Sequence, residues 1–122
     1  IKNNQNHIFC AKRKDQGELA LKWEFPGGKI EPGETHTQAL IREIKEELEL
    51  GITVQDLLMT VTHQYSTFHL TMHCYDCVID KGTIILNEHT EYKWLPVEEL
   101  SSLDWAEADL PIVKELMKRE KH

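Results

Sequence analysis

The chain has 122 residues, 40% of them apolar and 29% charged, and its 14 Lys and Arg against 21 Asp and Glu leave a formal charge of −7. This fits one domain over residues 1–122, large enough to bury a core without a disulfide or metal staple and too apolar for disorder. An acidic chain with no basic run argues against nucleic-acid binding. No apolar stretch approaches the ~20 residues of a membrane span, and no signal-peptide layout is present. A cytoplasmic protein with neither nucleic acid nor membrane as partner is expected. The 3 cysteines are odd in number and make no secreted framework. Cys74 and Cys77 form a C-x-x-C, but within a run of strand formers, where residues three apart point to opposite faces. They are expected to be reduced and structural.

In chain order, residues 7–13 predict a strand and residues 22–25 a second, short one, stopped by Pro26, Gly27 and Gly28. A Gly/Pro loop runs through Glu31, Pro32, Gly33 and Glu34. Thr35 follows as an N-cap, with Gln38 completing a capping box. The helix it opens is expected to reach about Leu50, with Gly51 as its stop. Residues 52–61, 68–80, 84–86 and 91–95 read as strands, and residues 97–101 as a helical segment. A last helix covers residues 110–120, with Asp109 as its N-cap and Pro111 in its first turn. Strands interleaved with helices, without repeat or linker, predict an α/β domain with a mixed sheet.

Residues 27–50 carry the chemistry. At about 100° per residue, Leu40, Ile44 and Leu48 form one apolar stripe. Glu43, Glu46 and Glu47 crowd the adjoining arc, with Glu47 nearest the stripe. Like charges at these spacings repel, and more strongly beside a core than in water. A solvated acidic face is the plain reading; the crowding points instead to a bound divalent cation. Oxygen-only ligands suit Mg²⁺ or Mn²⁺ rather than zinc. Gly27 and Gly28, directly after a strand, let backbone approach a ligand without Cβ obstruction.

The same segment resembles the Nudix box, G-x5-E-x7-R-E-U-x-E-E-x-G-U, where U is a bulky aliphatic. Gly28 is followed at the required spacings by Glu34 and then by Arg42, Glu43, Ile44, Lys45, Glu46, Glu47 and Leu48, and Leu50 fills the final aliphatic place. Glu49 stands where the pattern has Gly; with Gly51 just beyond, the helix is expected to run half a turn longer. The stretch WEFPGGKIE, residues 23–31, is similar to the MutT-like nucleoside triphosphate pyrophosphohydrolases, and the likeness extends over most of the chain. It implies an α/β/α sandwich around a central mixed sheet, with the family's first strand, ahead of Ile1, short or missing here. It implies metal binding by Gly27 (through its carbonyl), Glu43, Glu46, Glu47 and Glu88. Glu34 and Arg42 would stabilise the loop and orient the glutamates, and Glu43 would be the general base, with Glu46 or Glu88 as alternatives. The implied reaction is attack at the β-phosphorus of a nucleoside triphosphate, giving a monophosphate and pyrophosphate. An acidic protein meets such a substrate productively only with divalent cations between them.

For the base, the resemblance implies a pocket between the sheet and the final helix, lined by Arg13, Phe25, Tyr65, Leu70 and Asp109. The oxidised-guanine enzymes carry Asn where Asp109 stands, and Asp there resembles the CTP pyrophosphohydrolases. Oxidised purine nucleotides such as 8-oxo-dGTP are the first expectation, and cytidine or modified-pyrimidine triphosphates the second. A non-catalytic, nucleotide-binding Nudix-like domain is the reading from another class; such domains usually lose box glutamates that are kept here. Plain alternatives are core packing for Phe25 and Leu70, a solvated strand position for Arg13 and helix capping for Asp109. Trp94 and Trp105 are expected to pack. A monomer or weak dimer is expected.

Overall fold

The computed structural model describes residues 1–28 and 30–120. Its elements are β1 (Ile8–Arg13), β2 (Trp23–Glu24), α1 (His36–Leu48), β3 (Gly51–Gln64), β4 (His69–Lys81), β5 (His89–Leu95) and α2 (Leu110–Glu120), with 3-10 turns at Val97–Ser102 and Glu107–Asp109. β1 lies between β2 and β5, antiparallel to both, so that Ala11 faces Glu24 on one side and Tyr92 on the other. β3 and β4 form a long antiparallel hairpin. Lys2 joins the two groups by pairing antiparallel with Ile8 and parallel with Val78, and its N–H donates to the Cys77 carbonyl at 2.9 Å. That parallel bridge makes the sheet mixed.

Alternation along β1 divides the core. Phe9 and Ala11 pack with Ile44, Leu48, Leu50, Ile52 and Cys77 on the α1 face. Ile8 and Cys10 pack with Trp23, Val61, Leu100, Trp105, Ile112 and Leu116 on the α2 face. One helix on each face of a mixed sheet is the α/β/α sandwich. Cys74 and Cys77 fall on opposite faces, as the strand period demands, and all three cysteines are free. Burial pushes the Cys10 and Cys74 thiols up to about 12, which leaves them unreactive. Trp105 donates to the Leu100 carbonyl at 2.6 Å, and Trp94 meets Phe9 edge-on, so both pack. Among the described residues no helix is long and apolar enough to cross a membrane.

Both ends of α1 matter for the site. At its start the Thr35 hydroxyl accepts from the Gln38 N–H at 3.1 Å while the Gln38 side chain accepts from the Thr35 N–H at 2.9 Å, the expected capping box. At its other end the structure corrects the expectation. The helix stops at Leu48 rather than Leu50, and Glu49 itself turns left-handed (φ 57°, ψ 34°), its N–H closing on the Lys45 carbonyl. Residues 84–86 form no strand. This stretch and Asn87 just after it supply donors to the helix end instead: Ile85 N–H to the Leu48 carbonyl and Asn87 N–H to the Glu47 carbonyl, both at 3.0 Å. Asn87 Nδ2 takes the Glu46 carbonyl at 2.8 Å. The last four carbonyls of α1 are thereby satisfied, a demand that outweighs the weak strand propensity of so short a run. Asn87 also fastens the loop carrying Glu88 to the end of the acidic helix.

Candidate active site

β2 runs into Pro26, and the Gly27–Gly28 turn lays backbone against α1. A Cβ on Gly28 would lie 2.2 Å from the Glu43 carboxyl carbon, so any larger residue there would push the Glu43 carboxyl out of its place. Arg42 organises the acids around this turn. Its Nε and Nη2 fork onto the two Glu34 oxygens at 2.7 and 3.0 Å, and its Nη1 reaches Glu43 at 2.9 Å and Glu46 at 3.2 Å. Glu34 also accepts from the Glu31 N–H at 2.9 Å, which closes the loop on itself. The Arg42 bonds, and after them the Glu31 amide, hold the Glu34 carboxyl below the usual carboxylate range.

Glu47 sits in a different environment. The Gly27 amide nearby favours its charged form, yet its Oε2 is buried without a partner. Desolvation, followed by the charges of Glu24, Glu43 and Glu88, pushes its pKa from 4.5 up to about 8. An unsatisfied buried acceptor costs ~1–3 kcal/mol, and repulsion from the neighbouring acids adds to that. A cation beside Oε2 would relieve both. Among the described residues no three acidic, His or Cys side chains converge at ligand distance as they stand, since Glu43 and Glu46 are turned onto Arg42. The donor set nevertheless fits a hard divalent ion: the Gly27 backbone with Glu43, Glu46 and Glu47, and Glu88 across a cleft of about 190 Å³. The orphaned Oε2 marks where positive charge is needed.

Residues 1–115 match the family model described as a NUDIX domain. This chain belongs to the Nudix family. It is 34% identical over 110 residues to the CTP pyrophosphohydrolase of Escherichia coli (strain K12), an alignment covering 90% of this chain and 82% of that one. It is likewise 34% identical over 118 residues to the 8-oxo-dGTP diphosphatase of the same organism, covering 95% and 90%. The solution structure of MutT from methicillin-resistant Staphylococcus aureus 252 matches with a TM-score of 0.76 at 41% identity, covering 98% of this chain and 92% of that one.

Sequence reasoning missed three residues around this cleft. Glu24 Oε1 accepts from Arg13 Nη1 at 2.9 Å, and its Oε2 lies 2.8 Å from His89 Nε2. Glu24 had a signal, because Trp23 and Phe25 both pack on the α2 side and the strand period sends Glu24 the other way, toward Glu47. His89 had none beyond following Glu88. Asn87 had none at all, since its role depends on where a non-adjacent helix ends.

The expected base-side group is partly assembled. Phe25 stacks on Trp105 at 4.6 Å, and the buried Tyr65 accepts from the Ala108 N–H through its hydroxyl at 2.8 Å. Asp109, only 4% exposed, accepts from the Phe25 N–H at 3.1 Å, which links the start of α2 to the Gly27 loop. Helix capping therefore gives way to a tertiary contact. Leu70 is half-buried on β4, on the same strand face as Met72 and Cys74, which pack toward α2. Arg13 stands apart from Phe25 and Tyr65. It lines the carboxylate cleft with Glu47 and Glu88, where a shift of register between Lys12 and Arg13 turns it. Desolvation first, with Glu24 adding to it, raises the Asp109 pKa to about 7, so that both its donor and acceptor forms are present near neutral pH.

Proposed function

We propose that this chain is a nucleoside triphosphate pyrophosphohydrolase dependent on Mg²⁺ (or Mn²⁺), acting first on oxidised purine nucleotides of the 8-oxo-dGTP type. The relatives named as diphosphatases and pyrophosphohydrolases hydrolyse phosphoric anhydride bonds, and the chain is a hydrolase of that class. The observation that carries the reading is Glu47, a half-buried carboxylate with one buried, unpartnered oxygen among Glu24, Glu43 and Glu88. Gly27, Glu43, Glu46, Glu47 and Glu88 would hold the ion, which supplies positive charge against the triphosphate and lowers the pKa of water. Glu43, on the turn of α1 against Gly28, takes the proton of the attacking water. The bond from the β-phosphorus to the oxygen bridging it to the α-phosphorus breaks; that oxygen leaves with the nucleoside monophosphate, and the water oxygen ends on the β-phosphorus in pyrophosphate. Arg42 keeps its fork on Glu34 and holds the helix face to the loop. Arg13 meets the nucleotide from the cleft, while Phe25, Tyr65 and Leu70 face its base.

Asp109 supports a second reading, a cytidine or modified-pyrimidine triphosphate as substrate. A buried carboxylate accepts from the exocyclic amine of cytosine, and its protonated form donates to a purine carbonyl. Release of pyrophosphate from 8-oxo-dGTP, dGTP, CTP, dCTP and 5-methyl-dCTP, with and without Mg²⁺, separates the two. Higher kcat/KM on 8-oxo-dGTP than on dGTP supports the first reading, and preference for the cytidine nucleotides installs the second. No Mg²⁺-dependent turnover on any of them refutes both.

A further inference from the structure

We propose that Glu24 and His89 form the positioning element of this site, a buried carboxylate–imidazole pair that ties the Glu88 loop and Arg13 to the strand delivering Gly27. The inference rests on reading the cleft as a metal-dependent hydrolase site, and it concerns residues that touch neither ion nor phosphate. Glu24 ends β2 just ahead of the Gly27 turn, His89 opens β5 directly after Glu88, and Arg13 ends β1 opposite His89. One side chain with both oxygens engaged, at 2.9 Å to Arg13 and 2.8 Å to His89, therefore joins three strand ends around the cleft. Because both oxygens are engaged, Glu24 is an outer partner of the site.

The chemistry of His89 indicates orientation rather than packing. Its side chain is 2% exposed, and its Nδ1 is buried without a partner. A neutral ring with its proton on Nε2, donated to Glu24, is the form that buries no unsatisfied N–H. A position needing only volume would be filled better by an apolar side chain, which leaves no orphaned nitrogen. What the imidazole adds is one directed bond at the root of the Glu88 loop. Asn87 anchors the other side of that loop to the Glu46 and Glu47 carbonyls. Glu88 is thus an exposed carboxylate held between two anchors, one on α1 and one on β2. Outer partners of this kind commonly set metal affinity by ~10–100-fold.

The test titrates Mn²⁺ into the metal-free chain, reading free Mn²⁺ by electron paramagnetic resonance, for the parent, His89→Gln and His89→Asn. The Gln amide nitrogen overlays Nε2 and keeps the bond to Glu24, whereas the Asn amide is too short. His89→Asn is expected to weaken Mn²⁺ binding ~10-fold or more and His89→Gln by less than ~3-fold. Equal affinity in a folded His89→Asn overturns the inference. Should that variant not fold, Glu24→Gln carries the test: Mn²⁺ affinity and nucleotide KM must worsen together, because one carboxylate holds both His89 and Arg13. Movement of neither overturns the inference. A parent chain that binds no Mn²⁺ removes the metal-site reading and this inference with it. A parent that binds Mn²⁺ but turns over no nucleotide removes only the substrate reading, and the His89 comparison still decides.

Discussion

Replacing Glu47 with Gln is expected to move stability and activity in opposite directions. Burial and the charges of Glu24, Glu43 and Glu88 move this carboxyl from 4.5 to about 8. At about 1.36 kcal/mol per pH unit, that displacement is worth at most roughly 5 kcal/mol against the metal-free fold. Glu47 is not sealed from water, and screening reduces the figure to roughly 1–3 kcal/mol. Between pH 4.5 and about 8 the folded chain keeps a proton that the unfolded chain has released. Metal-free stability from this group is therefore fully present below the lower value and falls as pH rises to the upper one.

Gln carries no such slope. In metal-free buffer the variant should melt roughly 3–10 °C above the parent at pH 8 and close to it near pH 5. Saturating Mg²⁺ should raise the parent and leave the variant almost unmoved, while pyrophosphate release by the variant falls by about 10³-fold or more. Thermal melts at three pH values with and without MgCl₂, beside a turnover assay, read all of this. A variant-minus-parent difference that does not grow with pH would refute the electrostatic account. Turnover within about tenfold of the parent would refute the metal role of Glu47.

Gly28→Ala should lower kcat/KM by roughly 10–100-fold with little loss of fold, since the added methyl lands 2.2 Å from the Glu43 carboxyl carbon and must displace it; a near-parent kcat/KM would contradict the close approach. Glu49→Gly should raise stability by roughly 0.5–1 kcal/mol, visible as a higher urea midpoint, because a left-handed cap at φ 57° strains any residue with a Cβ and a negative charge opposes the helix C-terminus. An unchanged midpoint would mean that the Glu49–Asn87 bond at 3.1 Å offsets the strain. Asp109→Asn removes a group titrating at about 7, so the ratio of kcat/KM on 8-oxo-dGTP to that on CTP should become flat between pH 6 and 8 where the parent's changes.

The acidic helix was legible because its signals are local. The Thr35 and Gln38 caps, the stripe of Leu40, Ile44 and Leu48 and the Gly27–Gly28 break each need only a few neighbouring residues, and the structure bears them out. The opposite faces of Cys74 and Cys77 followed from the strand period in the same way. The helix end was misread for a reason that is not local. Gly51 looked like the stop, but the 82–87 segment, far along the chain, supplies the donors that close the helix at Leu48. Residues 84–86 were read as a strand because their own propensity says so, and they were drawn instead to unsatisfied carbonyls.

The site divides along the same line. Spacing alone brought Glu43, Glu46 and Glu47 to one helical arc, because a helix maps sequence offset onto direction. Three carboxylates so placed repel one another, and the repulsion grows with their burial. Spacing did not show that Glu47 would be the member with a buried, orphaned oxygen, that Arg42 would hold Glu43 and Glu46, or that Arg13 would line the carboxylate cleft. Nor did it show that Glu24, His89 and Asn87 would lock the edges of that cleft. Those facts depend on burial and on bonds between strand ends brought together only when the sheet closes. The sequence by itself determined the fold class, the acidic helix and its demand for positive charge; the tertiary structure decided which carboxylate feels that demand most, since desolvation exists only once the chain has folded around it.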